Sequence, residues 1–219
     1  PVWRCSGTLL SPTVFLTAGH CTYGVSHVEI WFESDVDAGR PANGYPLTGV
    51  VGGTPHTHPL YLSAPFVVND VGVVVLDRPY YSPNGVYGQL PVENQLDALK
   101  TRRGLQNVSF TAVGYGLQES FPDAASWQTV ANRVRMVANP KLNQINVAGF
   151  TGDFSMLLSN NANTGGTCFG DSGGPNFVQG SHVVAGVTSF GINGNCAGTG
   201  GVFRLDRANA LNFVLPYLQ

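Results

Sequence analysis

Residues 167–175 (TCFGDSGGP) place an acid, Asp171, and a hydroxyl, Ser172, in the middle of a stretch rich in glycine. Glycine weakens helix and strand interiors, and the proline that ends the stretch lacks a backbone N–H, so the chain must turn sharply here. A serine hydroxyl becomes a nucleophile only when a base takes its proton, and the base works best when a third group fixes its tautomer. A nucleophilic role for Ser172 therefore requires a histidine and a second acid elsewhere in the chain.

Two other short stretches supply those residue types. TAGHC places His20 beside Cys21, where a disulfide would fix its backbone, and NDVGVVVL places Asp70 at the start of an apolar strand. A carboxylate that enters a buried strand is costly unless it is paired. The Nδ1–H of His20 is a suitable partner, and its Nε2 would then face Ser172. Together the three stretches predict a nucleophilic serine activated by a histidine–acid pair.

Other titratable residues have plainer interpretations. Asp77, in LDRP, lies where the same strand should end, and we expect it to be solvated beside Arg78; it is the alternative acid. His56 and His58 stand two apart in TPHTHP, which would suit a metal only with a third ligand, and none is near in the sequence. We expect these two histidines to lie in a surface loop.

Composition excludes several classes of function. The 219 residues are 43% hydrophobic, enough for a sizeable core in one compact unit or two small lobes. Only 11% are charged and the net charge is -2, so the chain has no basic field for nucleic acid or for a membrane surface. Its longest apolar runs are too short to span a bilayer. No targeting segment is visible, and we expect that any signal or pro-segment has been removed.

The four cysteines are an even number and form two local pairs, Cys5 with Cys21 and Cys168 with Cys196. Neither pair has the C-x-x-C spacing of a metal site. Two disulfides and an oxidising, extracellular setting are therefore predicted, with four buried free thiols as the alternative.

With 28 glycines and 14 prolines, the chain is predicted to be rich in turns and β-strands. Short β-branched and aromatic runs, typical of an antiparallel sandwich or barrel, lie at 14–16, 28–32, 71–76, 108–113, 133–137 and 183–187. Two stretches look helical, 93–100 and 206–219. The second has Asp206 as a candidate N-cap, and its apolar stripe is Ala208, Leu211, Val214, Leu215 and Leu218.

The motifs around His20, Asp70 and Ser172, in that order, resemble those of the chymotrypsin/trypsin-like serine endopeptidases. The resemblance also covers CSGTLLSPTVFLTAGHC, TAVGYG, VTSFG and GVFRL, and is weakest over 35–66. It implies an all-β fold of two six-stranded antiparallel β-barrels with the active site in the cleft between them. We expect lobes at 1–95 and 105–205, a C-terminal helix at 206–219, and one functional peptidase unit.

The resemblance also implies roles for individual residues. His20 would be the general base, Asp70 would orient it, and Ser172 would be the nucleophile. The backbone N–H groups of Gly170 and Ser172 would stabilise the oxyanion of the tetrahedral intermediate, at about 3–4 kcal/mol per donor.

A specificity slot follows from the same resemblance, with Gly166 as its uncharged floor and Thr167 at its edge. Its walls would be Ser189, Phe190 and Gly191 on one side and Gly201 on the other. Small Gly191 and Gly201 should leave the slot open for large apolar or aromatic side chains before the cleaved bond. Ser189 and Gly191 should pair with the substrate backbone as an added strand. The alternative is that the stretch INGNCAGTGG changes the shape of the slot.

No cofactor is expected, and no metal either, because Glu33, Asp35 and Asp37 do not match the family's calcium-loop pattern. The expected partners are peptide or protein substrates, with protein inhibitors as further candidates; we expect no nucleic acid, no membrane, a monomer and a secreted location. One alternative is a catalytically inactive relative that binds partners. A serine esterase would need a G-x-S-x-G elbow and the order Ser, Asp, His, which this sequence lacks.

Asp171 also needs a partner, because burial of an unpaired carboxylate is costly. In animal members of the family, a new N-terminal amine pairs with the acid before the nucleophile. Here residue 1 stands four residues before Cys5, without an I-V-G-G-like start. We expect an internal partner instead, either backbone donors or one of the arginines at 4, 102, 103, 133 and 135, and an enzyme that no N-terminal amine switches on. The amine of Pro1 is the alternative partner, since four residues extend up to about 14 Å.

Overall fold

The computed structural model describes residues 4–61, 68–100, 107–121 and 123–219. A first antiparallel sheet has the order β1-β2-β5-β4-β3. Its strands are β1 Thr8–Ser11, β2 Val14–Thr17, β3 Val28–Ile30, β4 Val51–Thr57 and β5 Gly72–Leu76. One helical turn, α1 (Gly19–Thr22), follows β2 and carries His20.

A second antiparallel sheet has the order β7-β6-β10-β11-β12-β9-β8. Its strands are β6 Phe110–Gly114, β7 Met136–Ala138, β8 Leu142–Val147, β9 Gly152–Asn160, β10 Pro175–Val178, β11 Val184–Gly191 and β12 Gly198–Arg204. The C-terminal helix α2 (Ala208–Val214) continues as a 3₁₀ turn, Leu215–Leu218, and further 3₁₀ segments are Gln95–Leu99 and Asp123–Gln128.

The predicted all-β class, with two curled antiparallel sheets and a C-terminal helix, is confirmed. The strand count differs, because the described residues form five and seven strands where the resemblance implies six in each barrel. Most of the stretch between β3 and β4 is in turns instead of a ladder. It contains Pro41 and Pro46, which cannot donate to a ladder. Asn43 ties the turns together, since its Nδ2 donates to Val36 O at 2.8 Å.

Most of the predicted strands lie where the sequence indicates. The runs at 14–16, 71–76, 108–113 and 183–187 overlap β2, β5, β6 and β11, whereas the run at 28–32 ends at Ile30 and the run at 133–137 becomes strand only at Met136. The helix expected at 93–100 is the 3₁₀ segment Gln95–Leu99.

One apolar core holds the two sheets together. Val14, Leu16 and Val73 of the first sheet share a buried cluster with Val187 and Phe203 of the second. Side chains from α2 pack in the same cluster. Because the candidate site residues come from both sheets, this shared core sets their mutual positions.

Asp206 is not the N-cap of the C-terminal helix; Arg207 takes that position. Asp206 is instead fully buried, and its Oδ2 accepts the Leu96 backbone N–H at 2.8 Å and the Arg204 Nη2 at 2.8 Å. Arg204 is also fully buried, and its bond to Asp97 lowers the pKa of that carboxyl to about 2. The Asp206 carboxylate therefore pairs with the buried Arg204 and does not cap the helix. The apolar stripe is correct at Leu211 and Val214 but wrong at Ala208 and Leu215, which are exposed.

Among the described residues, no helix has the length and apolar character needed to cross a membrane.

Candidate active site

The structure brings His20 and Asp70 together. Asp70 is fully buried just before β5, and its Oδ1 accepts the backbone N–H of His20 at 2.8 Å. His20 Nδ1 lies 2.9 Å from Oδ2 and 3.1 Å from Oδ1. Gly19 permits this approach, because an added Cβ would lie 3.0 Å from Val71 N and 3.2 Å from Asp70 Oδ1. The imidazole is therefore held by its Nδ1, which leaves Nε2 directed away from the acid.

Asp70 has a third donor that the sequence analysis did not assign. Ser189, in β11, donates its hydroxyl to Asp70 Oδ2 at 2.5 Å, and both side chains are buried. From the sequence, Ser189 is predicted only as part of the wall of the specificity slot. One signal was available, because a fully buried carboxylate needs more donors than one histidine offers. The hydroxyl of Ser189, in VTSFG, is the kind of group that could supply such a donor.

The turn that carries Ser172 packs directly against the end of β2. Gly173 has φ +80°, and a Cβ there would lie 2.0 Å from Thr17 Oγ1 and 2.6 Å from Ala18 N. The Ser6 backbone N–H donates to Ser172 O at 2.7 Å, and the Ser6 hydroxyl donates to Gly170 O at 2.9 Å. These bonds hold the turn against the segment that leads into β1.

The Ser172 turn lies close to the residue that follows His20, since Cys21 Sγ is 3.6 Å from Ser172 O. The contacts within the described chain do not include a hydrogen bond between the Ser172 hydroxyl and the His20 ring. In the same region, the backbone N–H groups of Gly170 and Ser172 have no acceptor among the described residues. Gly170 has φ +97°, a conformation that glycine adopts without strain.

Both predicted disulfides are present, Cys5–Cys21 and Cys168–Cys196. The first joins the residue after His20 to the start of the chain, and the second joins the segment before Ser172 to the loop between β11 and β12. Within the described residues, Cys5, His20 and Cys21 have side-chain ligand atoms within 4.8 Å of one another. Because both sulfurs are bonded to each other, they are not thiolate ligands for a metal.

Asp171 is buried and receives internal donors of the kind that the sequence analysis expects. Its Oδ1 accepts the Gly116 N–H at 2.8 Å and its Oδ2 accepts the Cys168 N–H at 2.9 Å. Burial raises the pKa of Asp171, while these two N–H groups and the positive charge of Arg4 act in the opposite direction. Pro1 and the arginines at 102 and 103 lie outside the described residues. Gly116 is required at its position, since a Cβ would lie 2.4 Å from the carboxylate.

The structure differs from the expected open slot at Gly201, and a side chain also occupies the space beside Gly166. A Cβ at Gly201 would lie 2.3 Å from ring carbons of Phe190, so the aromatic ring covers this glycine. A Cβ at Gly166 would lie 2.3 Å from Cγ of Asn160, whose Nδ2 donates to Thr167 O at 2.7 Å. The space that each glycine leaves is thus filled by a neighbouring side chain.

The predicted slot residues also divide into two groups. Gly166 and Thr167 line a cavity of about 540 Å³ together with Asn160 and Asp171. Ser189, Phe190, Gly191 and Gly201 do not line that cavity. At Gly191 the space stays open, because the nearest atom to an added Cβ is Asn193 O at 3.6 Å.

The remaining candidates lie away from Asp70 and His20 or have structural contacts. Asp77 is exposed at the far end of β5. His56 is in β4 instead of a loop, 5.0 Å from the ring of Tyr217. His58 is buried and packs 5.2 Å from the ring of Phe213. Burial lowers the pKa of His58, and a hydrogen bond to the Asn209 backbone acts in the opposite direction.

Comparison with known proteins places this arrangement in a family. The trypsin family model matches residues 2–211. The chain is 26% identical over 195 residues to a collagenase of Hypoderma lineatum, covering 89% of this chain and 68% of that protein. It is 25% identical over 208 residues to a chymotrypsin of Phaedon cochleariae, covering 92% and 67%.

Solved structures agree in fold. HL collagenase matches with a TM-score of 0.71 at 19% identity, covering 98% of this chain and 86% of that one. Human heparin binding protein matches with a TM-score of 0.66 at 17% identity, covering 97% and 86%. Since the family match extends over nearly the whole sequence, the chain belongs to the trypsin family of serine proteases.

Proposed function

We propose that this protein is a secreted serine endopeptidase that cleaves peptide bonds through an acyl-enzyme on Ser172. The observation that carries the proposal is the fully buried Asp70, which accepts bonds from His20 Nδ1, the His20 backbone and Ser189. An acid held in this way fixes the imidazole with Nε2 free to act as a base. The two disulfides favour an oxidising location outside the cell.

In the proposed reaction, Ser172 Oγ attacks the peptide carbonyl carbon while His20 Nε2 takes the hydroxyl proton. The C–N bond then breaks, the amine leaves with that proton, and an ester remains on Ser172. A water molecule next gives a proton to His20 and attacks the ester, which releases the acid and returns the proton to Ser172. The backbone N–H groups of Gly170 and Ser172, which lack acceptors within the described chain, would stabilise both oxyanions.

The substrate backbone would add to β11. Strand β10 pairs with β11 only as far as Val187, so residues 189–191 have no β10 partner on that edge. Ser189 and Gly191 are therefore proposed to pair with the substrate backbone. The 1–95 and 105–205 lobes and the 206–219 helix would act as one peptidase unit.

We propose that the side chain before the cleaved bond is apolar, and large ones, including aromatic ones, remain the predicted preference. The Phe190 ring supplies an apolar surface, but it also covers Gly201. A large side chain would bind there only after the ring turns aside. The size of the substrate side chain that binds therefore depends on the position of the Phe190 ring.

The direct test of the mechanism is labelling with a phosphonylating reagent, followed by mapping of the modified residue. We expect the label on Ser172, none in Ser172→Ala, and unchanged labelling in Ser181→Ala, a matched change at an exposed serine. Ser172→Ala should also lose several orders of magnitude in kcat while its circular dichroism stays native. A folded protein that takes no label and cleaves no peptide would favour the inactive binding relative instead.

A further inference from the structure

The side chain of Arg4 lies against the turn to which we assign oxyanion binding. A Cβ atom added at Gly170 would lie 2.7 Å from Arg4 Nε and 2.9 Å from Nη2, so the guanidinium rests on the open face of this glycine. Arg4 Nη1 also donates to Ala131 O at 3.3 Å. The guanidinium is thus held next to the Ser172 turn.

A second guanidinium, that of Arg133, is near enough to act on Arg4. The pKa of Arg4 is lowered, first by burial and next by the positive charge of Arg133. Arg133 Nε donates to the Tyr45 hydroxyl at 2.7 Å, and its Nη1 lies 3.7 Å from Asp37 Oδ1. Arg133 is thus paired with Asp37, and the charge of that carboxylate also acts on Arg4. The two guanidinium groups line one cavity, where a further carboxylate could bind both.

The carboxylates of this region accept hydrogen bonds from groups other than Arg4. Asp171 accepts two backbone N–H bonds, and Asp37 accepts the Arg133 backbone N–H at 2.7 Å. Asp35 accepts from the Ala38 backbone, and Glu33 accepts from the Asn43 amide. Among the described residues, no carboxylate lies within 4.0 Å of the Arg4 guanidinium. The Arg4 guanidinium thus has no direct carboxylate partner among the described residues, and the charges of Asp171 and Asp37 act on it only from a greater distance.

The position of the two arginines identifies the part of a substrate that they would meet. A strand added along residues 189–191 brings the acyl side of the substrate past the β11–β12 loop, which carries Cys196. The cysteines of the other disulfide do not line the cavity that contains Gly166 and Thr167. At this disulfide, Arg4 directly precedes Cys5, and Cys21 Sγ lies 3.6 Å from Ser172 O, so substrate residues after the cleaved bond would pass on this side. Arg4, Arg133 and both of these cysteines line one cavity of about 910 Å³.

We propose that Arg4 and Arg133 form a subsite that binds the carboxylate of an Asp or Glu within the first three residues after the cleaved bond. Three extended residues span about 10 Å, a distance that suits side chains held next to the Ser172 turn. The subsite rests on the proposed function, because it needs a peptide that passes Ser172. The subsite adds a charge preference for residues after the cleaved bond, whereas the slot concerns only the side chain before that bond.

The test uses internally quenched peptides with one constant acyl side and with Glu, Gln or Lys at a single position after the cleaved bond. The measured quantity is the ratio of kcat/KM for the Glu peptide to that for the Gln peptide, within each protein. We compare the unchanged chain, Arg133→Gln and Lys141→Gln, at about 0.05 M and about 0.5 M NaCl. Lys141 is exposed and does not line the cavity, so Lys141→Gln removes one positive charge outside the proposed subsite.

We expect Glu to exceed Gln by about tenfold at low salt, as charge-assisted hydrogen bonds would give, and Lys to be the poorest. Arg133→Gln should lower the ratio to about twofold, higher salt should lower it too, and Lys141→Gln should keep it. Cleavage at equal rates for Glu and Gln, or an unchanged ratio in Arg133→Gln, would overturn the subsite alone. A chain that cleaves none of the peptides and takes no label on Ser172 would overturn the proposed function and the subsite with it.

Discussion

Asp70→Asn is the substitution that most sharply tests how His20 is activated. Asp70 is fully buried and acts only as an acceptor, toward the His20 backbone, His20 Nδ1 and Ser189. An asparagine keeps one acceptor oxygen, and its amide must point a donor at one of these partners. If the amide faces His20, Nδ1 becomes an acceptor and the ring proton moves to Nε2. A histidine protonated at Nε2 cannot take the proton of Ser172.

The expected loss follows from that tautomer and from the missing negative charge. In Ser-His-Asp triads the same change lowers kcat by about 10⁴, which corresponds to about 5 kcal/mol of transition-state stabilisation. The assay is kcat and KM for one peptide at pH 7.5, together with the rate of phosphonylation at Ser172. We expect kcat and the labelling rate to fall together, whereas KM changes little.

Asp77→Asn is the matched control, because Asp77 is an exposed acid at the other end of the same strand. It should keep kcat within about twofold, as surface substitutions generally do. Thermal unfolding of each variant separates lost activity from lost fold. If folded Asp70→Asn keeps kcat within tenfold, or if Asp77→Asn loses as much, the assignment of the orienting acid is wrong.

Three further predictions concern residues around this centre. Ser189→Ala removes one hydrogen bond to a charged acceptor, so kcat/KM should fall by about ten- to a hundredfold, well short of Asp70→Asn; a loss as large as that of Asp70→Asn would contradict a supporting role. Phe190→Ala should increase cleavage after Phe relative to Ala in a peptide series, because the ring then no longer covers Gly201; an unchanged Phe to Ala ratio would refute the covered slot. The lowered pKa of His58 means that the unfolded chain binds its proton first, so this part of the stability is complete above about pH 6.5 and decreases as the pH falls toward the native pKa. Urea midpoints at pH 7.5 and pH 5 should therefore differ less in His58→Gln, and an equal difference would show that His58 does not contribute.

The sequence predicted the elements that local pattern determines. Runs such as GVVVL and the turn around Ser172 have a composition that allows one conformation, and the even cysteine count predicted both disulfides. Asp206 shows where local pattern misleads. Its residue type suits an N-cap. However, the buried Arg204, two residues earlier, binds the same carboxylate. This ion pair with two hydrogen bonds outweighs a single capping bond.

The slot shows a different limit. A glycine such as Gly201 leaves space beside the backbone, but no local rule states which side chain enters that space. Phe190 reaches Gly201 because β11 and β12 shift register between Thr188 and Phe190, which pairs the ring with the glycine across the ladder. Aromatic rings commonly cover a cross-strand glycine, since the contact buries apolar surface at no steric cost. The register shift depends on pairing between strands that only the folded sheet defines. Ser189 is the extra residue of this register shift and donates its hydroxyl to Asp70, so the covered glycine and the third donor of the acid both lie at the same irregularity of β11.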